Sequence, residues 1–363
     1  MSQRYKPLAK ALIAVVVAIG LVLAARNAFS QWADQQRSAE DRVAQIDREL
    51  QAATSEVQRE NLRSQRRTAL SAVPRLANLN WSRIAAAGCC YALGLIPGGL
   101  VLCESTRVLG YRVSAGKAIA AQLVGHVGKY VPGKAMVVVI RAGRLSSLGV
   151  PLVVGSIAVF LETLLMMAVG AAVAGCLVFW LPVPRWVAWV ALAGGIAATV
   201  PTLPPWIKWI VAKINAKSVA SSLSAAPEQE REAVAAAMSP ATSPSTGQGW
   251  RFFVSAWCWQ GLAWLLIGAS FALLVDSIPG RPTEMPAGTV FAASVASIAL
   301  AMVAGFASLL PGGAGVRELT LAMVLAPVIG SSHALLAAIL ARLLFIVVDL
   351  AAALAVATLY REQ

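Results

Sequence analysis

An all-α fold, a polytopic membrane bundle with broken or re-entrant helices, is what three features of this 363-residue chain predict. The first is composition: 58% of residues are hydrophobic, 13% are charged and the mean hydropathy is +0.70, too apolar for a water-soluble globule. The second is a set of charge-free runs at 84–103, 163–184, 186–207, 252–275 and 319–341. Each has the roughly 20 apolar residues that a ~30 Å hydrocarbon core requires. The third is a series of Pro-Gly pairs, each near a charge and set inside otherwise apolar sequence.

The elements follow in order. Arg4, Lys6 and Lys10 precede the apolar run Ala11–Ala25, and no clear small-x-small cleavage site follows it. Residues 1–26 therefore read as an uncleaved anchor with a cytoplasmic N-terminus. Residues 27–80 form a polar helical insertion on the outer, periplasmic side. Within it Val43, Ile46, Leu50, Ala53 and Val57 keep helical spacing for about two heptads, short of a coiled coil. Two uses stand for that stripe: self-association or recruitment of a partner, and a solvated helix or hairpin, the second being favoured.

Residues 81–217 make the first half of the membrane domain. Trp81 opens a pass running to Cys103 through Pro97-Gly98-Gly99, and Arg107, Arg112 and Lys117 mark its cytoplasmic end. The stretch 125–141 carries Lys129, Tyr130, Pro132, Gly133, Lys134 and Arg141. Its basic flanks place entry and exit on one side, as a re-entrant hairpin would. Passes at 150–181 and 186–204 follow, with Trp180, Trp186 and Trp189 as an interfacial belt. Residues 218–249, rich in Ser, Ala, Pro and Gln, read as a flexible cytoplasmic linker. The second half, 250–363, has passes near 252–275, 287–310 and 334–358, with 314–331 either a short pass or a second re-entrant arm.

Backbone broken at membrane depth survives where it is buried in protein or lines a water-filled cavity. Pro132, a residue with no amide donor, and Gly133 make a continuous helix through 125–141 improbable, and the cations there point to the floor of a polar cavity. Pro97-Gly98-Gly99 with Glu104, and Pro311-Gly312-Gly313 with Gly315, Arg317 and Glu318, repeat a Pro-Gly-Gly element with Glu five residues later. Paired interruptions of this kind suggest an internal repeat with a binding site at its interface. Glu162, Arg342 and Asp349 lie within apolar passes, where a charge costs about 2.5–3.5 kcal/mol on insertion scales and needs a partner or water. Arg342 and Asp349, seven residues apart, fall on one helical face. Interhelical ion pairs that merely hold the bundle together would give the same pattern.

Other chemistries find little support. The net charge of +13 is distributed at the ends of apolar runs, as lipid headgroups and the positive-inside rule require, so no nucleic-acid partner is expected. Gly128–Lys134 matches the first seven positions of a phosphate-binding loop, but Ala135 stands where the magnesium-binding hydroxyl belongs and Pro132 removes a cradle amide. Two histidines and five cysteines show no metal-ligand spacing. His126 reads as a packed residue with at most a minor headgroup role. No cofactor, no metal and no enzymatic reaction are expected.

At Gly128-Lys-Tyr-Val-Pro-Gly-Lys134 with Arg141, the membrane Glu162, and Leu310-Pro-Gly-Gly-Ala-Gly-Val-Arg-Glu318 followed by Arg342, the chain resembles a known family. It is the flippase-like transmembrane domain found at the N-terminus of lysylphosphatidylglycerol synthases and also as stand-alone membrane proteins. The resemblance covers about 82–358; the insertion 30–73 and the linker 218–249 depart from the compact pattern. It implies lipid or glycolipid translocation across the bacterial cytoplasmic membrane, without the aminoacyl-transferase activity of the larger synthases.

On this reading Lys129, Tyr130, Lys134, Arg141, Arg317 and Arg342, with Glu162, Glu318 and Asp349, receive the headgroup of a membrane lipid, anionic or zwitterionic. Pro97, Gly98, Pro132, Gly133, Pro311, Gly312, Gly313 and Gly315 are the helix breaks. The alternatives are an intramembrane enzyme acting on a lipid-linked sugar or phosphate, and a membrane scaffold using 30–73, through which a homo-oligomer or another partner would form.

Overall fold

The computed structural model describes residues 30, 33–34, 36–72, 78–129, 135–209, 212–213, 246–279, 285–308 and 315–359. The anchor 1–26, nearly all of the linker 218–249, and Tyr130, Pro132, Gly133, Lys134, Pro311, Gly312 and Gly313 lie outside them. Most of the described residues are helical, with no strand among them. By internal contacts the chain divides into two compact units that do not follow sequence order. One gathers the chain through Tyr91, Ala174–Ala188 and Leu265–Val348; the other gathers Ala92–Val173, Trp189–Trp264 and Asp349–Gln363.

In the first unit, α1 (residues 36–52) and α2 (Glu56–Ala72) form a helical hairpin. Ile46 and Leu50 of α1 and Leu62 and Ala69 of α2 share one small apolar core with Ala53 of the turn, while Asp47 accepts hydrogen bonds from Arg66. The apolar stripe from Ile46 to Ala53 is thus covered by its own neighbour. The hairpin alternative describes it, and Val57, at the end of the predicted stripe, points outward.

Helix α3 (Trp81–Val108) corrects the expected break at Pro97 and Gly98, because it continues through both as one 28-residue helix. The missing proline donor is absorbed, and the glycines serve close packing instead. A Cβ on Gly98 would lie 2.8 Å from Gln122 Nε2, and one on Gly99 would lie 2.6 Å from the Cα of Ile119. Pro97→Ala should therefore leave a folded protein whose unfolding temperature in detergent equals or exceeds the parent's, since it restores a helix donor. A lower unfolding temperature would mean that the ring itself shapes the helix.

Helices α4 (Ala115–Gly125) and α5 (Ala135–Ser146), with a 3-10 turn at His126–Lys129 after α4, pack side by side. At 11 and 12 residues each is about 16–18 Å long, too short to cross a bilayer. Their approach is backbone-close, for a Cβ on Gly128 would sit 2.7 Å from the amide nitrogen of Val137. Helix α6 (Leu152–Val178) is the long pass expected at 150–181. It receives the indole of Trp264 in a seat left by Gly170, and the ring nitrogen donates to the Met166 carbonyl at 3.0 Å.

The pass expected at 186–204 is corrected: α7 (Arg185–Thr199) has 15 residues and gives way to a 3-10 turn at Val200–Thr202 and a short helix α8 (204–209). Pro201, Pro204 and Pro205 interrupt the helix that the absence of charge suggested. Trp180, Trp186 and Trp189 are all exposed, in keeping with an interfacial belt.

Helices α9 (Thr246–Ser277), α10 (Ala287–Ala307) and α12 (Ser331–Leu359) match the three long passes expected in the second half. Helix α11 (Val316–Ile329) has 14 residues, packs against α10 and stops at Gly330, whose φ of +85° is left-handed. Within the span 314–331, left open between a short pass and a re-entrant arm, the structure thus has a short helix separate from the long pass that follows. Among the described residues five helices, starting at Trp81, Leu152, Gly247, Ala287 and His333, are long and apolar enough to cross a membrane. The chain is an all-α, multi-pass membrane protein.

Candidate functional site

Apolar helices impose a simple rule on the second unit: every charge they carry inward needs a counter-charge. Its acids among the described residues are Glu104, Glu162 and Asp349. Glu162 of α6 is 2% exposed and Arg141 of α5 is 4% exposed. They form an ion pair of 2.9 Å, Arg141 Nη1 donating to Glu162 Oε2. Gln122 of α4 and Gln260 of α9 donate to the other carboxylate oxygen at 3.1 and 3.4 Å, and Thr163 reaches Oε2 at 3.4 Å. Four helices thus converge on one carboxylate.

Asp349, 1% exposed on α12, lies 3.6 Å from Lys129 Nζ and 3.6 Å from His126 Nδ1. The two groups of charges join through the α4–α5 hairpin. Gly125, next to His126, has no room for a Cβ because the Arg141 side chain crosses it, with Cγ 2.3 Å from where that atom would be. His126, Lys129, Arg141, Glu162 and Asp349 consequently form one cluster, framed by Gln122 and Gln260.

The cluster is not fully satisfied internally. Arg141 Nε, Gln122 Oε1 and both ring nitrogens of His126 are buried without a hydrogen-bond partner among the described residues. An orphaned buried polar atom costs about 1–3 kcal/mol, so several around one ion pair mark a place where water or a ligand completes the network.

Glu318, Arg342 and Arg317 belong to the other unit and make their own arrangement. Glu318 accepts the Gly315 amide at 2.7 Å and pairs with Arg342. Gly315, at φ +89°, is the helix break that the described residues retain. The guanidinium of Arg317 lies 5.4 Å from the Phe345 ring centroid, and Phe345 stacks on Tyr91 at 3.8 Å. Each unit therefore links a short helix to the long helix that follows it through an ion pair of opposite sense: Arg141 to Glu162, and Glu318 to Arg342.

One expectation changes. Arg342 and Asp349 share a helix but have different partners: the Arg342 side chain is 44% exposed and pairs with Glu318, whereas Asp349, 1% exposed, faces His126 and Lys129. The stretch 130–134, expected to floor a polar cavity, lies outside the described residues; beside it ion pairing draws the described side chains into a polar knot from which Lys129 emerges 29% exposed. Sequence reasoning passed over Gln122 and Gln260 and gave His126 a minor part. A lone glutamine within an apolar stretch was the available signal, lost when only formal charge was counted. Among the described residues no group of three or more His, Cys, Asp or Glu could hold a metal, and Cys89, Cys90, Cys103, Cys176 and Cys258 are free thiols.

A family model described as the lysylphosphatidylglycerol synthase TM region matches residues 72–353. The chain belongs to this family. The match takes in both short-helix elements, the whole charged cluster and the Glu318–Arg342 pair, and leaves nearly all of the α1–α2 hairpin outside. No curated protein matches the sequence.

Proposed function

We propose that this member of the lysylphosphatidylglycerol synthase TM family moves the polar headgroup of a membrane lipid across a bacterial cytoplasmic membrane, without altering it chemically. The observation that carries the reading is the cluster of buried Arg141, Glu162, Asp349 and His126 with the partly exposed Lys129, hung on short helices that do not span the bilayer and edged by orphaned polar atoms. Within the cluster Arg141 faces Glu162 and Lys129 faces Asp349. A lipid phosphate would exchange with Glu162 for Arg141, or with Asp349 for Lys129, through charge-assisted hydrogen bonds. An amino group on the headgroup would take the carboxylate so released.

Lys134 and Tyr130 extend the same stretch in sequence, while Arg317, Glu318 and Arg342 would form a second station for the headgroup. The short helices would act as re-entrant arms whose displacement opens the knot. Such movement would be downhill or coupled to an ion.

Glu162→Gln and Asp349→Asn keep side-chain size and remove the counter-charge. In liposomes holding equal amounts of folded protein, each is expected to slow translocation of a fluorescent phospholipid by at least about tenfold, the equivalent of ~1.4 kcal/mol at the barrier. Undiminished rates in both variants would overturn the proposal, and a chemically altered lipid in the product would favour an intramembrane enzyme.

A further inference from the structure

Away from the charged knot, the second unit contains a cavity of about 500 Å³. Its walls come from Leu109 after α3, Val138 of α5, Val153, Ile157 and Phe160 of α6, and Ile207 of α8. Apart from the Ser156 hydroxyl, whose hydrogen bond goes to the Leu152 carbonyl, the side chains facing it are apolar. Phe160 and Val153 are 57% and 65% exposed, so the cavity is open to the hydrocarbon. On α6 the cavity residues 153, 157, 160 and 164 recur at helical spacing on the face opposite Glu162. It is a separate site.

What borders this groove decides its occupant. The end of the unit where it begins collects the C-terminus of α3, the start of α4, the end of α5, the start of α6, α8 and the start of α9. One apolar core holds these pieces together, containing Leu109, Val113, Leu145, Val154, Ile207 and Phe252. Ser255 of α9 also donates to Glu104 of α3 at 2.8 Å. Arg107, Arg112, Lys117, Arg144, Lys208, Lys213 and Arg251 all fall on this end, and Glu104 is its single acid among the described residues. Trp206 and Trp209 are half exposed beside them, with the Lys213 ammonium 4.2 Å from the Trp209 ring centroid. Amphipathic rings and cations together mark the headgroup level.

We infer that this groove is a binding site for an anionic phospholipid, one acyl chain lying along α6 and the phosphate meeting the basic rim at Lys208, Arg107 and Arg144. Apolar walls alone would admit any lipid tail. The surplus of cations at the mouth selects the negatively charged headgroup, as basic pockets between membrane helices do. The site stands whether or not the charged cluster translocates lipid, since the two share no residue.

The test uses the full chain in nanodiscs of phosphatidylglycerol or phosphatidylcholine, followed by extraction into detergent and quantification of the retained lipid. The expected result is about tenfold more phosphatidylglycerol than phosphatidylcholine, a preference worth ~1.4 kcal/mol. Ile157→Trp fills the groove and should reduce retention of both lipids. Lys208→Glu leaves the groove open and should lower the phosphatidylglycerol excess several-fold without affecting phosphatidylcholine. Val153→Trp, at an exposed position, repeats the filling experiment where a folding defect is not expected. Equal retention of the two lipids by the parent protein would overturn the inference, as would unchanged retention in both tryptophan variants.

Discussion

Replacing Arg141 with methionine is expected to lower stability by about 3–5 kcal/mol, the usual cost of leaving a buried charge without its partner. Glu162 would keep only the amide donors of Gln122 and Gln260 and the Thr163 hydroxyl, and none of these carries a compensating charge. The double variant Arg141→Met/Glu162→Leu should recover most of that loss, because two apolar side chains suit this interior better than one stranded ion. Unfolding titrations of the parent, both single variants and the double variant close the cycle. Additive losses would mean that the pair is not coupled. A stable but inactive double variant would separate what the pair contributes to function from what it contributes to folding.

Gly128→Val should have an effect of similar size by another route. The added side chain would meet the peptide backbone of Met136 and Val137 at 2.7–2.9 Å, and backbone cannot step aside by changing rotamer. Forcing atoms into a packed interior costs about 1–3 kcal/mol and occasionally more, and here the strain falls between the two arms of the hairpin. The arms should part, giving faster proteolysis of 125–141 and slower translocation. Gly143→Ala is the control on the same hairpin: nothing lies within 4 Å of its Cβ position. Alanine there should be neutral or stabilising by about 0.5–1 kcal/mol. Equal proteolysis of the two variants would show that Gly128 is not a contact point.

Much of this architecture was legible in the sequence, and the reason is the hydrocarbon scale. Apolar length reports membrane passage directly, so α3, α6, α9, α10 and α12 were all foreseen. Absence of charge does not guarantee a continuous helix: Pro201, Pro204 and Pro205 divide the run 186–207 without carrying charge. Conversely Pro97, read as a break, sits inside a helix whose neighbouring glycines let α4 approach closely. For a Pro-Gly-Gly element, local chain chemistry does not distinguish a bend from a packing seat; the neighbouring helix does.

The candidate site was partly legible for the same reason. Glu162, Arg141, Lys129 and Asp349 were singled out because charge is costly in lipid, and the structure brings these four together. Which carboxylate meets which cation was not readable, since the paired residues are 21 positions apart in one case and most of the membrane domain apart in the other. Gln122 and Gln260 were missed because an amide carries no formal charge, although burying one without a partner is itself costly.

The balance of charges in the sealed cluster has an electrical consequence. With His126 neutral, Lys129 and Arg141 cancel Glu162 and Asp349 formally. A transmembrane voltage does about 2.3 kcal/mol of work per elementary charge per 100 mV, but it does none on a group of zero net charge that moves as a body. Translation of the hairpin with its pairs intact would be blind to membrane potential, and the voltage would act only on a charge that moved with it.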